Sequence, residues 1–254
     1  MQPFAIYDAL IDGLPAGLRV KSYINGKIWT MVETDEPAYG LAMTFDVASV
    51  PPLWKEDYVG MDLRDLAALS KSWNFPEAAI GMAAINAWYN ERGRAERNGV
   101  LFPDPERGVQ DAFSVYLSRA EGRRVATVGS FEKAMRVYRP VCALTVLEQH
   151  PHPGELPDSA CEYVLPEQDI VFVTGSAFVN KTMPRLLTLC QNAETILLGP
   201  TVPLAPQLFD FGVDCLAGFV VTEPEACRRL AATGYELSPS PVGKRVRLSK
   251  EDAI

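Results

Sequence analysis

Residues 169–185, DIVFVTGSAFVNKTMPR, combine the residue types best suited to ligand chemistry. β-branched and aromatic residues at 170–173 are typical of a strand buried in a parallel sheet, and small residues at 174–176 break it. Asn180, Lys181 and Thr182 can then cap a helix. Such junctions bind ligands because the helix's free N–H groups face the turn. We expect Asn180 to donate a hydrogen bond, and Lys181 a charge, to an anionic or carbonyl group; the alternative is an ordinary capped loop.

The chain's two histidines lie close together in the segment HPHPGELPDSACE. His150 and His152, with Glu148, Asp158 and Cys161, offer ligands for a divalent transition metal such as zinc or nickel. Their spacing matches no known metal signature, so a loop without a bound ion is the competing interpretation. Glu148 also follows a predicted strand, where a carboxylate commonly holds a ribose; a solvated strand-end acid is the alternative.

Two further turns follow predicted strands. Gly129 and Ser130 form a turn with one glycine where a dinucleotide fingerprint has three, and the chain has no Gly-Lys-Ser/Thr phosphate loop, so pyrophosphate binding is disfavoured. Gly199, Pro200 and Thr201 open the proline-rich loop LGPTVPLAPQ. Its prolines stiffen the backbone, which favours a rigid pocket wall opposite the turn at 174–176.

The first group of elements that must position these residues is α+β. Alternation at 18–24, an Asn-Gly turn and apolar strands at 28–32 and 39–45 predict an antiparallel meander, with helices before and after it. In the helix EAAIGMAAINAWY, Gly81 and the alanines indicate close packing against another backbone. Asn86 in this helix either is exposed or bonded to a neighbouring backbone, or points at a ligand.

The second group alternates strands with helices, which predicts a doubly wound parallel sheet whose site lies at the carboxyl edge of the strands. The five predicted strands lie at 124–128, 142–147, 169–173, 194–198 and 215–221. Residues 245–248 are expected to pair only at an edge. The charged, turn-rich stretch at 91–108 is typical of a linker. We therefore predict an α/β protein with an α+β domain at 1–107 and a Rossmann-like domain at 108–254.

Composition narrows the class of partner. The chain has 254 residues, 48% hydrophobic, enough for a substantial core. A formal charge of -8 argues against a broad nucleic-acid footprint. No apolar run has the length of a membrane span, and the five cysteines show no Cys-x-x-Cys pair. The sequence thus predicts a cytoplasmic protein with a small-molecule partner, no nucleic acid and no membrane; a homodimer is left open.

Three motifs in order, GMAAINA at 81–87, TGSAFVNKT at 174–182 and LGPTVPLAPQLFDFGVDCLAG at 198–218, resemble the prokaryotic heavy-metal chelation family over nearly the whole chain. The resemblance implies an enolase N-terminal-like domain, a Rossmann-like domain partly similar to methyltransferases, and an interdomain site for pterin-, flavin- or siderophore-like molecules. By motif position, it implies site residues Asn86, Thr174, Gly175, Asn180, Lys181, Gly199, Pro200 and Thr201. Position along the chain adds Gly129, Ser130, Glu148, Asp158 and Ser176.

Three functions compete on these observations. The first is an enzyme for condensation or hydrolysis of such a metabolite, with Lys181 as electrophile or acid and Glu148 as base or ribose holder. The chain has no Ser-His-Asp order and no nucleophile elbow. The second is a non-catalytic carrier of a metal or metal chelate, for which His150 and His152 are candidates. The third is an S-adenosylmethionine-dependent methyltransferase, although the single Gly129 makes the first loop poor for that cofactor.

Overall fold

The structure is a computed structural model that describes residues 2, 4–54, 57–103, 111–233 and 242–253. Its first sheet is the predicted antiparallel meander, in the order β1 (Val20–Asn25), β2 (Trp29–Thr34) and β3 (Tyr39–Met43). The surrounding helices are α1 (Ala5–Asp12), α2 (Leu63–Ala68), α3 (Phe75–Tyr89) and α4 (Arg92–Arg97).

Helix α3 packs unusually close to its neighbours. The Asn74 side chain accepts a hydrogen bond from Glu77 N and caps the helix. A Cβ added to Gly40 of β3 would lie 2.0 Å from Ala83 O, and one added to Gly81 would lie 2.0 Å from a backbone nitrogen before α3. The predicted close approach at Gly81 is therefore confirmed.

The second sheet contains all five predicted strands and two more. They are β4 (Arg124–Val128), β5 (Ala143–Glu148), β6 (Leu156–Pro157), β7 (Ile170–Thr174), β8 (Glu194–Leu198), β9 (Cys215–Val221) and β10 (Gly243–Ser249). The spatial order is β10-β9-β8-β7-β4-β5-β6, and only β10 runs antiparallel to its neighbour. The prediction of five strands is wrong because β6 has only two residues and no alternation to reveal it. β10 pairs at the edge, as expected.

Both faces of this sheet are covered, as a parallel sheet requires. Its helices are α5 (Ala112–Ala120), α6 (Glu132–Tyr138), α7 (Cys161–Val164), α8 (Met183–Leu189) and α9 (Pro224–Thr233). Ile170 and Phe172 of β7 pack in one core with α5 and α6, while Val171 and Val173 join the core that contains α8 and α3. The uninterrupted apolar strand is thus buried on both sides.

The two sheets are separate, but their cores are continuous. One hydrophobic cluster runs from α1 and α3 to β7 and α8. Part of the predicted linker is helical, since α4 lies within 91–108, and the predicted boundary between 107 and 108 falls outside the described residues. None of the helices in the described part of the chain is long and apolar enough to cross a membrane.

Candidate functional site

A cleft of about 740 Å³ opens at the carboxyl edge of the second sheet. β4 is followed along the chain by β5 and β6, which lie on one side of it, and then by β7, which lies on its other side. The gap between β4 and β7 is therefore the topological switch point of the sheet. Ligands of open α/β sheets bind at this point because the two loops diverge and leave a crevice. The second sheet forms most of the cleft, and Met43 and Phe45, at the end of the first sheet, contribute to its lining.

The structure brings together eight of the residues predicted from the sequence. They line the cleft from four segments of chain: Gly129, Ser130, Glu148, Asp158, Thr174, Ser176, Asn180 and Lys181. The other predicted site residues, considered below, do not line it.

Lys181 has an unusual backbone and an unusual environment. Its φ of 69° makes it the one non-glycine residue with positive φ in the described part of the chain. Its half-buried ammonium nitrogen Nζ donates a hydrogen bond to Val179 O at 2.7 Å and lies 5.8 Å and 5.4 Å from the ring centroids of Tyr7 and Phe75. No ion pair joins it to a described carboxylate. Burial lowers the pKa of Lys181 to about 7.

Asn180 shapes the turn that carries Lys181. Its Oδ1 accepts hydrogen bonds from Thr182 N at 3.2 Å and from Thr182 Oγ1 at 2.7 Å. The prediction that this triplet caps the helix with a side chain is wrong: α8 begins at Met183, and Thr182, at the N-cap position, makes no capping bond. Its hydroxyl is used by Asn180 instead. The triplet therefore fixes a turn rather than a helix end.

The opposite side of the cleft is acidic and well ordered by hydrogen bonds. Glu148 accepts from Ser130 N at 2.9 Å through Oε2 and from Gln149 N at 2.7 Å through Oε1. Glu155 accepts from Ser130 Oγ at 2.7 Å, and this bond is the main cause that lowers the pKa of the Glu155 carboxyl. Two carboxylates thus hold the turn after β4, while Asp158 lies exposed at the rim.

Thr174 and Ser176 line the cleft, whereas Gly175 between them faces the loop after β8. The hydroxyls of Thr174 and Ser176 lie 2.9 Å apart and hydrogen-bond to each other. A Cβ on Gly175 would lie 2.6 Å from Val202 Cγ2 and 2.8 Å from Val202 N. The stiff loop is therefore opposite this turn, as expected, but it packs directly on Gly175 and leaves no pocket there.

Asn86 and the loop after β8 join the two sheets and do not line the cleft. Asn86 Nδ2 donates to Leu41 O at 2.7 Å and to Pro200 O at 3.2 Å, and its side chain is fully buried. Thr201 Oγ1 accepts from Met43 N at 2.9 Å. These contacts satisfy buried backbone groups between the sheets. Asn86, Gly199, Pro200 and Thr201 do not line the cleft, and their role toward a ligand stays a prediction.

Asn90, the residue that follows α3, adds hydrogen bonds to the same contact between the sheets. Its Nδ2 donates to Val202 O at 3.0 Å and Phe219 O at 3.2 Å, and its Oδ1 accepts from Leu204 N at 2.8 Å. Nothing in the sequence singles out this residue, because its partners lie more than a hundred positions away.

The two histidines do not assemble the predicted metal site. His150 and His152 are exposed, and the backbone nitrogen of His152 donates a hydrogen bond to Glu155 at 2.8 Å. Across the described ranges, no three His, Cys, Asp or Glu side chains come together in a way that could hold an ion. The proline-flanked loop presents its rings to solvent instead of converging them.

Several cleft residues were not predicted from the sequence. Arg185 and Glu162 form an ion pair at the rim, with Nε and Oε1 2.8 Å apart. Cys161, which the sequence suggested only as a metal ligand, also lines the cleft, but burial raises the pKa of its thiol to about 11, so it remains protonated and is a poor nucleophile. Phe45 could have been predicted to line the cleft, because it ends the strand predicted at 39–45. The Arg185–Glu162 pair could not, because it depends on a contact between α7 and α8.

Comparison with known proteins places this architecture in a family. Two family models, both described as "Putative heavy-metal chelation", match residues 7–89 (DUF4213) and 111–241 (DUF364). An uncharacterised protein of Methanocaldococcus jannaschii is 29% identical over 170 residues, which is 64% of this chain and 62% of that protein. The match thus spans less than two thirds of that relative's length.

Two crystal structures of proteins of unknown function share the fold. The protein from Desulfitobacterium hafniense, of the DUF364 family, is 34% identical with a TM-score of 0.88 over 98% of both chains. The protein from Pyrococcus horikoshii superposes with a TM-score of 0.72 at 22% identity, over 98% of this chain and 100% of that chain, and shows the fold alone. With a family model covering residues 111–241, the chain belongs to the family described as "Putative heavy-metal chelation".

Proposed function

We propose that the cleft binds and converts a small organic metabolite whose carbonyl or anionic group faces Lys181. The observation that carries this proposal is a half-buried lysine in the cleft with no carboxylate within ion-pair distance among the described residues. Removing an ammonium group from water costs free energy unless a partner compensates for it. A bound anion or carbonyl oxygen would supply that partner.

The backbone of Lys181 supports the same proposal. A non-glycine residue with φ of 69° costs about 1–3 kcal/mol and persists only where the surrounding structure holds it. Such strain, together with a strongly shifted pKa in a cleft, is characteristic of functional sites. Asn180 holds the strained turn, so the side chain of Lys181 is presented to the cleft in a defined position.

The remaining lining suits an enzyme for a small, partly apolar molecule. Val128, Leu147 and Leu186 provide apolar walls, and the volume of about 740 Å³ lies in the range of small-molecule sites. Lys181 can act as acid and Glu148 as base in a condensation or hydrolysis. The pterin-, flavin- or siderophore-like class follows from the family resemblance, and this cleft is consistent with it.

The family description also implies a heavy metal, and the described residues do not fit a resident ion. No three of their His, Cys, Asp or Glu side chains come together, and His150 and His152 are exposed. A non-catalytic carrier would therefore have to take the metal as a complex with an organic chelator. A methyltransferase remains the other alternative, since Glu148 ends β5, the second strand of the parallel sheet, as in ribose-binding sites.

The test replaces Lys181 by Met, which keeps the length of the side chain and removes its charge. Binding of pterins, flavins and catecholate or hydroxamate chelators is measured by calorimetry. We expect the best ligand to lose about 1.5–3 kcal/mol of affinity, the value of a hydrogen bond to a charged group.

Lys71→Met is the matched control, because Lys71 pairs with Asp8 at 2.7 Å and does not line the cleft. Its affinity for the same ligand should equal that of the wild type. Equal affinity of wild type and Lys181→Met would contradict the proposal. Binding without chemical conversion of any ligand would favour the carrier over the enzyme.

A further inference from the structure

We propose that Lys181 is a nucleophile whose side-chain amine forms an imine with an aldehyde or ketone group of the bound metabolite. This inference rests on the proposed function and specifies its substrate class. It concerns a covalent bond from the Lys181 nitrogen to carbon, whereas the proposed function requires the metabolite to be bound and converted near that nitrogen, with or without such a bond.

The two described cations that line the cleft differ in their availability. Arg185 is engaged by Glu162 and has no nucleophilic lone pair at neutral pH. Lys181 makes one hydrogen bond, to Val179 O, and its other neighbours are the rings of Tyr7 and Phe75. An uncharged amine can keep that hydrogen bond with one N–H and direct its lone pair elsewhere. The pKa of about 7 means that this form is well populated at neutral pH.

The other potential nucleophiles described in the cleft are poorly activated. Cys161 is held as a thiol by burial. The hydroxyls of Thr174 and Ser176 bond to each other, and Thr182 Oγ1 donates to Asn180. Hydroxyl nucleophiles need an adjacent general base. Ser130 Oγ, which also lines the cleft, donates to the Glu155 carboxylate, but the lowered pKa of Glu155 makes that carboxylate a weak base, and neither histidine lines the cleft. Lys181 is the remaining group that needs no such base.

The step balances without an oxidant or reductant. The nitrogen lone pair attacks the carbonyl carbon, and the π electrons move to oxygen, which gains a proton as nitrogen loses one. The resulting carbinolamine loses its hydroxyl with a proton as water, and a C=N bond forms. Amine and carbonyl thus give imine and water, which is the reaction of Schiff-base lysines generally.

The experiment incubates the full chain with glyoxylate, and separately with pyridine-4-carboxaldehyde, in the presence of cyanoborohydride at about neutral pH. Cyanoborohydride reduces an imine to a stable secondary amine, which peptide mass spectrometry locates. We expect Lys181 to be modified at least about tenfold faster than Lys71 and Lys244, because a pKa lower by one unit raises the uncharged fraction tenfold.

Variants make the assignment specific. Lys181→Met and Lys181→Arg should lose the rapid adduct, and Lys71→Met should retain it. Lys181→Arg keeps a cation, so it covers the case in which the methionine variant fails to fold. Modification of Lys181 no faster than of Lys71 with both aldehydes would overturn the inference.

The calorimetric binding test separates the two proposals. Ligand binding that depends on Lys181, without any rapid adduct, would leave the proposed function and overturn the imine. Ligand binding that does not depend on Lys181, with no adduct, would overturn both. A rapid adduct confined to Lys181 supports the imine directly.

Discussion

Glu33 on β2 and Lys181 in the turn before α8 are both withdrawn from water, and the fold treats them in opposite ways. The Glu33 side chain is 5% exposed and pairs with Lys21 at 2.8 Å and with Arg228 of α9. Ser22 also donates to it at 2.8 Å. Burial alone would raise the pKa of Glu33, but hydrogen bonds from Lys21, Ser22 and Arg228 outweigh it and leave the pKa below its usual value.

Lys181 receives no such compensation from the described residues. Its pKa moves in the direction that burial dictates, and its strained backbone adds a further cost. The difference indicates two roles. A buried charge surrounded by partners joins elements of the fold, here the first sheet to α9. A partly buried charge without a carboxylate partner, facing a cleft, fits the ligand-binding role that we propose for Lys181.

The largest effect is expected from breaking the compensated charge. Glu33→Gln should destabilise the protein by about 2–3 kcal/mol at neutral pH, because it removes the negative charge that Lys21 and Arg228 bind. The loss is not larger because Arg228 and Lys21 retain partial access to water. Urea unfolding measures the change. Because the folded pKa lies below the unfolded one, the contribution of Glu33 is present above about pH 4.5 and declines as acid protonates it.

The control for this change is Glu225→Gln. Glu225 lies 3.9 Å from the same Arg228, but its side chain is 78% exposed, so its loss should change stability by less than about 0.5 kcal/mol. Equal effects of the two variants would show that the buried network contributes nothing special. Ligand binding in the cleft should be unchanged in both.

Removing the charge of Lys181 should stabilise the protein, which is the opposite of the effect expected for Glu33. The unfolded lysine titrates near 10.5 and the folded one near 7, so the folded protein binds a proton less readily and gains stability as pH rises between these values. Lys181→Met has no such dependence. At about pH 6 we expect it to be more stable than the wild type by about 1–3 kcal/mol, after allowance for solvent screening.

This advantage should shrink as pH rises from about 7 towards 10. Urea unfolding of both proteins across this interval gives the difference, in which other titrating groups cancel. Lys71→Met should show no similar trend. A Lys181→Met variant that is less stable than the wild type at every pH would identify Lys181 as a structural partner and not a binding group.

A smaller effect is expected from the turn that holds Lys181. Asn180→Ala removes both hydrogen bonds to Thr182 and should cost about 1 kcal/mol, as loss of a capping side chain does. Asn180→Asp keeps the accepting oxygen and should restore most of the stability. If Lys181 owes its position to this turn, Asn180→Ala should also slow modification of Lys181 by glyoxylate; unchanged stability and unchanged modification would show that the turn is held by packing alone.

The sequence predicted the part of the site that depends on one sheet. Glu148, Gly129 and Thr174 were expected together because the carboxyl ends of parallel strands meet at one edge, and they do line one cleft. Asn86 and Pro200 contact each other between the sheets and do not line the cleft, because their partners are set by packing between the sheets, which no local pattern encodes. The left-handed backbone of Lys181 was equally hidden, since nothing in its residue type favours positive φ.

The smallest effect is expected from replacing both His150 and His152 by Ala. Glu33 is surrounded by partners that stabilise its charge. In the described structure, by contrast, His150 and His152 have no third donor side chain close enough to complete a metal site. We expect the melting temperature of the metal-free protein to stay the same and any affinity for zinc or nickel to fall only partially. Calorimetric titration with each ion measures this.

Tight, stoichiometric metal binding that is abolished in the double variant would require the loop to rearrange around an ion, because a bound metal stabilises the state that gathers its ligands. The metal, rather than Lys181, would then be the group that organises this edge of the sheet.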